Sequence, residues 1–258
     1  VGSFDHFALL MVTEESSIAV EEAALVLSSV FRTGLDVDHW LGRLDDLAAG
    51  CGSDLESVTR RLFGELGFEG NRCGYYDPRN SWLDLVIERR TGIPITLSIV
   101  LMAVGRRVGL DIVGVGMPSH FLALDRGSGT FVDGFDGGAL LDRSGVDRLF
   151  TSLHEGIALD DAMLAPVGTR TIVRRMLNNL VHIAMLERDP ELRVTATKLR
   201  SLLPDATTSD RLELAGAYMA QGEVVRAADV LDAAAAEAPD HEHDAIVRYA
   251  SEVRARLN

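Results

Sequence analysis

Residues 75–98 read YYDPRNSWLDLVIERRTGIPITLS, and residues 117–138 answer them with MPSHFLALDRGSGTFVDGFDGG. In the first stretch Leu83, Val86 and Ile87 fall on one face of a short helix over 82–90, which Asn80 or Ser81 would cap and Gly92 would stop. Glu88, Arg89 and Arg90 close that helix. The basic pair suits the negative end of the helix dipole, and the competing reading is a charged frame for an acidic ligand near Pro94. Pro94 opens the next helix, over about 95–108, because a proline in the first turn forfeits no intrahelical hydrogen bond. Leu97, Val100, Leu101 and Val104 make it apolar nearly all round, which predicts burial. Ala103 and Gly105 permit close packing, and Gly109 ends it. The second stretch lies among three short strands, 111–116, 121–124 and 130–135, the last two joined by the turn Asp125-Arg-Gly-Ser-Gly129. A helix followed by hairpin-linked strands, with no second crossover helix, predicts an α+β layer with an antiparallel sheet.

Towards the N-terminus, residues 1–15 carry no clear pattern, and helices are predicted over 16–31, 36–49 and 54–66. In the second, Val37, Trp40, Leu41, Leu44 and Leu47 recur at helical spacing behind a cap from Asp36 or Asp38. Residues 68–80 form a loop rich in Gly, Asn, Asp and Pro, with Tyr75 and Tyr76 as aromatic anchors. Towards the C-terminus, residues 139–168 read as a connection, after which the pattern is wholly helical and repeats. Leu180 returns as Leu214, Met185 as Met219, Arg188-Asp189 as Gly222-Glu223 and Pro204 as Pro239. That period of about 34 residues is the tetratricopeptide length. Two copies and a final helix over 242–257 are fewer than a free-standing solenoid needs, so docking onto the α+β part is expected. Three regions result: 1–69, an N-terminal helical segment; 70–168, the core and connection; and 169–258, the repeats.

His120 and Asp133 are the sharpest pair. A hairpin centred near Ser128 sets Leu122 opposite Asp133, which makes His120 a diagonal neighbour on the same face. The carboxylate would orient the imidazole and stabilise its cation, as the third member of a catalytic triad does. The plainer reading is a structural hydrogen bond in a half-buried sheet. A nucleophile belongs at the start of the buried helix, where free N–H groups and the dipole lower a thiol pKa. No cysteine is there. Thr96 and Ser98 are the first-turn hydroxyls, and capping or bonding back to the helix is their ordinary use. Cys73 would reach His120 only by folding over the cleft; Cys51, in a glycine-flanked helix exit, is the weaker thiol.

The strings YYDPRNSWLDLVIERRTGIPITLSIVLMAVGRRVGL, VGMPSHFLAL and FVDGFDGG, together with RRMLNNL at 174–180, resemble the SirB-type family of transglutaminase-like proteins with tetratricopeptide repeats. The resemblance covers about residues 20–240. It implies a papain-like transglutaminase core with a Cys–His–Asp triad, in which His120 and Asp133 match the His and Asp. The Cys does not carry over: counting back from Gly109, its position falls on Pro94. The cleft implied by the resemblance is lined by Pro94, Tyr75, Tyr76 and Asn80. Two functions follow as expectations. One is a catalytically degenerate scaffold that binds a protein or peptide through this cleft or the repeats. The other is acyl transfer or amide hydrolysis with His120 as general base, Asp133 as orienter and Thr96, Ser98 or Cys73 as nucleophile.

Composition narrows the field. A formal charge of −14 opposes nucleic acid as a partner, since phosphate binding needs a concentrated basic surface. Two cysteines make neither a disulfide framework nor a zinc site and suit a reducing compartment. The apolar runs are too short to span a bilayer, and the start has no basic region of a secretory signal, so a cytoplasmic protein is expected. No phosphate loop or dinucleotide fingerprint appears, and no cofactor is expected. Asp133-Gly-Phe-Asp136-Gly-Gly lacks the ligand run of a calcium loop and reads as a glycine turn. His241-Glu-His243-Asp244 reads as a solvated helix start rather than a metal site.

Overall fold

Residues 2–255 are described by a computed structural model of the chain. The helices and strands run α1 (Ser3–Val12), α2 (Val20–Phe31), α3 (Val37–Ala49), α4 (Leu55–Thr59), β1 (Glu69–Gly70), α5 (Leu83–Arg89), β2 (Thr91–Gly92) and α6 (Pro94–Arg107). They continue through β3 (Ile112–Val115), β4 (Leu122–Asp125), β5 (Thr130–Asp133), β6 (Ala139–Leu141), α7 (Arg143–Leu153), β7 (Pro166–Val167), α8 (Thr169–Glu187) and α9 (Pro190–Ser201). The last three are α10 (Thr208–Ala220), α11 (Val224–Glu237) and α12 (Asp240–Ala255). The chain divides into two compact units, one of residues 13–173 and one of residues up to Val12 together with those from Arg174 onward.

In the first unit the architecture is the expected α+β. α6 is buried along most of its length, from Pro94 to Gly105 with only Met102 part-exposed. It lies against the five-stranded antiparallel sheet β6-β5-β4-β3-β7 and is flanked by α2, α3, α4 and α5. Close approach is possible because Gly105 has no side chain: a Cβ there would stand 2.5 Å from Ile112 Cδ1. An apolar cluster of Val115, Met117, Leu122, Phe131, Val146, Phe150 and Leu164 joins α7 to the sheet. The sheet has two strands more than the three expected, because β6 and β7, like α7, fall in the stretch read as a connection. Strands of two or three residues show no alternation to read. Likewise α1 lies within 1–15, where no pattern stood out.

Several local expectations change for identifiable reasons. The helix expected over 54–66 is α4 followed by a π-helical segment, Arg60–Glu65. That segment lays Phe63 on the loop after β5, where a Cβ at Gly138 would stand 2.2 Å from Phe63 Cδ2. Neither Asn80 nor Ser81 caps α5. Its N-cap position is Trp82 without a side-chain bond, and the Leu83 N–H donates instead to Ser28 Oγ of α2 at 2.9 Å. α5 ends not at Gly92 but at Arg90, which turns left-handed (φ 56°). Gly92 is in β2, where a Cβ would stand 2.8 Å from Thr96 Oγ1. Asp36 caps α3 by accepting from His39 N–H at 3.1 Å.

In the second unit α1 packs on α9, and α9, α10, α11 and α12 pack in sequence. Leu214, Ala215, Tyr218, Ala227, Ala228, Leu231, Ile246 and Val253 form its core. Gly222 has φ 77°, and Arg188, at the matching place one period earlier, holds φ 55° without the glycine that makes such a turn easy. The final helix begins at Asp240; the last residues of the helix expected over 242–257 lie outside the described ones. In it, His243 Nδ1 lies 2.9 Å from Ala235 O, a bond that ties the helix start to α11.

Candidate functional site

β4 and β5 pair with Ala123 opposite Val132, so the next positions out, Leu122 and Asp133, face each other. The turn between them is closed by the Asp125 carboxylate, which accepts from Ser128 N–H at 3.0 Å and Ser128 Oγ–H at 2.6 Å. This register brings His120 Nε2 to 2.9 Å from Asp133 Oδ2, with only 10% of the imidazole and 5% of the carboxylate exposed. The other carboxylate oxygen accepts from Phe135 N–H at 3.0 Å and Asp136 N–H at 3.2 Å, which fixes its direction. A buried carboxylate so bound holds the facing imidazole in one orientation.

The start of α6 is the place expected for a nucleophile. Pro94 occupies its first position and is buried. Thr96 Oγ1 donates to Asn80 O at 2.8 Å, lies 3.2 Å from Ile93 O, and accepts from Ile93 N–H at 3.1 Å. Its one proton and an acceptor site are thus in use, and the residue is fully buried. Ser98 is also fully buried, and its Oγ has no hydrogen-bond partner among the described residues. Asp133 adjoins this helix through Gly134, where a Cβ would stand 3.1 Å from Leu97 Cβ.

The 71–80 loop adjoins His120 through Tyr75 and Phe135. Asn80 is fully buried; its Nδ2 donates to Gly74 O at 2.8 Å and Tyr75 O at 3.2 Å, and its Oδ1 accepts from Asn71 Nδ2 at 3.1 Å. It therefore shapes the loop while its carbonyl anchors Thr96. Sequence reading placed Asn80 in the cleft without this role, which a single polar residue before a tryptophan does not reveal. Tyr75 and Tyr76 remain 38% and 49% exposed and meet edge to face, with centroids 5.3 Å apart. Tyr75 meets Phe135 at 5.8 Å, and Phe135 meets the His120 ring at 6.5 Å. Arg72 stands 5.2 Å over Phe135 and pairs with Asp136 at 2.7 Å. Phe135 and Arg72 are the members that sequence reading missed; Phe135 is held by the bare Gly70, whose Cβ would fall 2.5 Å from its ring.

Cys73 is exposed on the loop. Cys51 donates to Leu47 O at 3.4 Å, and burial pushes its thiol pKa up, away from the reactive thiolate. Arg89 faces Asp77 at 3.9 Å and Arg90 donates to Leu66 O at 2.9 Å, so both basic residues serve the loop framework. No helix among the described residues is long and apolar enough to cross a membrane.

A buried helix against an antiparallel sheet, with a His–Asp pair at the sheet margin, is the arrangement of a transglutaminase-like core. Residues 36–178, more than half of the chain, match the transglutaminase-like superfamily, and the chain belongs to it. Its relatives place it in the SirB-type branch. It is 39% identical over 158 residues to a UPF0162 protein of Xylella fastidiosa strain Temecula1, covering 58% of this chain and 56% of that one. It is 30% identical over 143 residues to F-box only protein 21 of Mus musculus, covering 52% of this chain and 22% of that one. It is 26% identical over 142 residues to protein SirB1 of Salmonella typhimurium, covering 54% and 52%. The chain thus spans about half the length, or less, of these curated relatives. No solved structure matches it.

Proposed function

We propose that this chain is a catalytically degenerate transglutaminase-like protein that holds a peptide or protein segment in the cleft beside His120. In this reading the repeats, of tetratricopeptide type, offer a second binding surface. One observation carries it: the helix start that should present a nucleophile presents a buried proline and a threonine whose hydroxyl is committed to Asn80 and Ile93. His120 and Asp133 then shape and polarise a binding cleft, beside the aromatic wall of Tyr75, Tyr76 and Phe135.

The intact His120–Asp133 pair favours a second reading, acyl transfer or amide hydrolysis. His120 would act as general base, Asp133 as orienter and Ser98 or Cys73 as nucleophile, with N–H groups near Ile95 and Thr96 as oxyanion donors. A single series of proteins separates the two. The native chain should leave amide and ester substrates untouched, whereas Pro94→Cys should gain a thiol alkylated at pH 6 about tenfold faster than a free thiol. Adding His120→Ala should remove that acceleration. Turnover by the native chain that disappears in His120→Ala would overturn the degenerate reading. A slowly alkylated thiol in Pro94→Cys would show that Pro94 does not stand at the nucleophile's place.

A further inference from the structure

We propose that His154 is a positioning residue for His120, acting through the Pro118 carbonyl. The proposal rests on the reading above only in taking His120 as the centre of the cleft. His120 ends a turn, 117–120, in which its own N–H donates to Met117 O at 3.3 Å. Within that turn Ser119 is left-handed, with φ 59°, a region that residues with side chains seldom occupy. Pro118 and Ser119 are both exposed, so local burial does not hold this backbone. One hold comes from the end of α7. Phe150 is buried and shares an apolar cluster with the fully buried Met117. One turn further on, the His154 ring lies against Phe150 with centroids 4.6 Å apart, and its Nε2 is 3.2 Å from Pro118 O.

The chemistry of that contact is determined. A carbonyl oxygen only accepts, so His154 Nε2 carries the proton and donates. The neutral Nε2–H form and the imidazolium both donate from this atom, and the link survives a change in protonation. The backbone N–H of His154 donates to Phe150 O at 2.9 Å, which fixes the ring's base to the helix. α7 therefore grips the turn from an apolar side through Phe150 and Met117, and from a polar side through His154 and Pro118. Two residues beyond Pro118, His120 must meet Asp133 Oδ2 at 2.9 Å. A turn released at Pro118 lets Ser119 leave its left-handed state and carries the imidazole off that oxygen.

The test reads His120 itself in the full chain by nuclear magnetic resonance. The ring Nε2–H signal of His120, identified by its absence in His120→Gln, should be visible because the bond to Asp133 slows exchange with water. His154→Ala should abolish that signal. It should also speed exchange of the His120 backbone amide by about two- to tenfold, the effect of losing one neutral hydrogen bond, while leaving the Leu97 amide of α6 unchanged. His154→Gln, which keeps a donor at the reach of Nε2, should restore both readings. A native-like His120 signal in His154→Ala overturns the proposal, as does failure of His154→Gln to restore it or equal acceleration at Leu97. If the variants behave as expected and the native chain still binds no peptide, the positioning role stands and the cleft reading alone falls.

Discussion

Thr96 shows how one hydroxyl separates a structural start from a catalytic one. It closes the first turn of α6 by accepting from Ile93 N–H and ties that turn to the 71–80 loop by donating to Asn80 O. Thr96→Val keeps the shape and removes both bonds, leaving a buried carbonyl and a buried N–H without partners. Chemical denaturation should find it less stable by about 1–3 kcal/mol, and Thr96→Ser should recover most of the loss. A Thr96→Val chain as stable as the native one would mean the hydroxyl is not the anchor described. At this scale the sequence was readable where spacing alone governs. A short hairpin turn fixes register, and register brings His120 towards Asp133. Asn80, Phe135 and Arg72 were not readable in their roles, because each depends on where a distant loop returns. No local pattern marks a carbonyl as an anchor for another element or a ring as the neighbour of an imidazole.

Between elements, burial pushes two carboxylates the same way, yet their net pKa shifts have opposite signs. Glu21 of α2 is 1% exposed; burial alone would raise its pKa, but the Arg106 and Arg107 guanidiniums of α6 outweigh it and hold the carboxyl below its ordinary value. Asp84 of α5 is fully buried beside one guanidinium, with Arg32 Nε at 2.6 Å, and there burial prevails and the pKa rises. The consequences for stability have opposite signs. The contribution of Glu21 is complete above its unfolded pKa and is lost as pH falls through its lower folded value. That of Asp84 is complete below its unfolded pKa and is lost as pH rises through its higher folded value. Glu21→Gln should therefore cost roughly 1–3 kcal/mol at neutral pH, with a deficit that shrinks below about pH 4. Asp84→Asn should cost less than about 1 kcal/mol at neutral pH, because it removes a poorly compensated buried charge. Urea unfolding of the three proteins at about pH 7 and about pH 3.5, either side of the ordinary carboxylate range, checks both. A Glu21→Gln deficit that grows on acidification would reverse the assignment. α2 and α6 were both predicted as helices, yet the clamp between them was not, since it joins residues far apart in the chain. The π-helical segment was equally hidden, because its hydrogen bonds leave no periodic trace distinct from that of the preceding helix.

Across the whole molecule, the helical C-terminal region was read from its pattern, and the SirB-type family from strings spread over most of the chain. The division into units was not readable from the same strings, because α1 belongs with residues that come last. Phe7 and Met11 of α1 are fully buried, Lys198 of α9 lies 4.4 Å over the Phe4 ring, and α1 packs on α9. Phe7→Ala should cost about 3–5 kcal/mol, the usual loss for a large buried ring, and should speed proteolytic cleavage within 174–255. Cleavage there at the native rate would show that α1 is not part of that unit's core. Synthesis runs at about 5–20 residues per second, so on the order of ten seconds or more separates the appearance of α1 from that of α9. Throughout that interval residues 13–173 emerge while Phe7 and Met11 have no finished core to enter. α1 is thus made well before the helices that cover it, and a ribosome that stalls within α8 leaves Phe7 and Met11 uncovered.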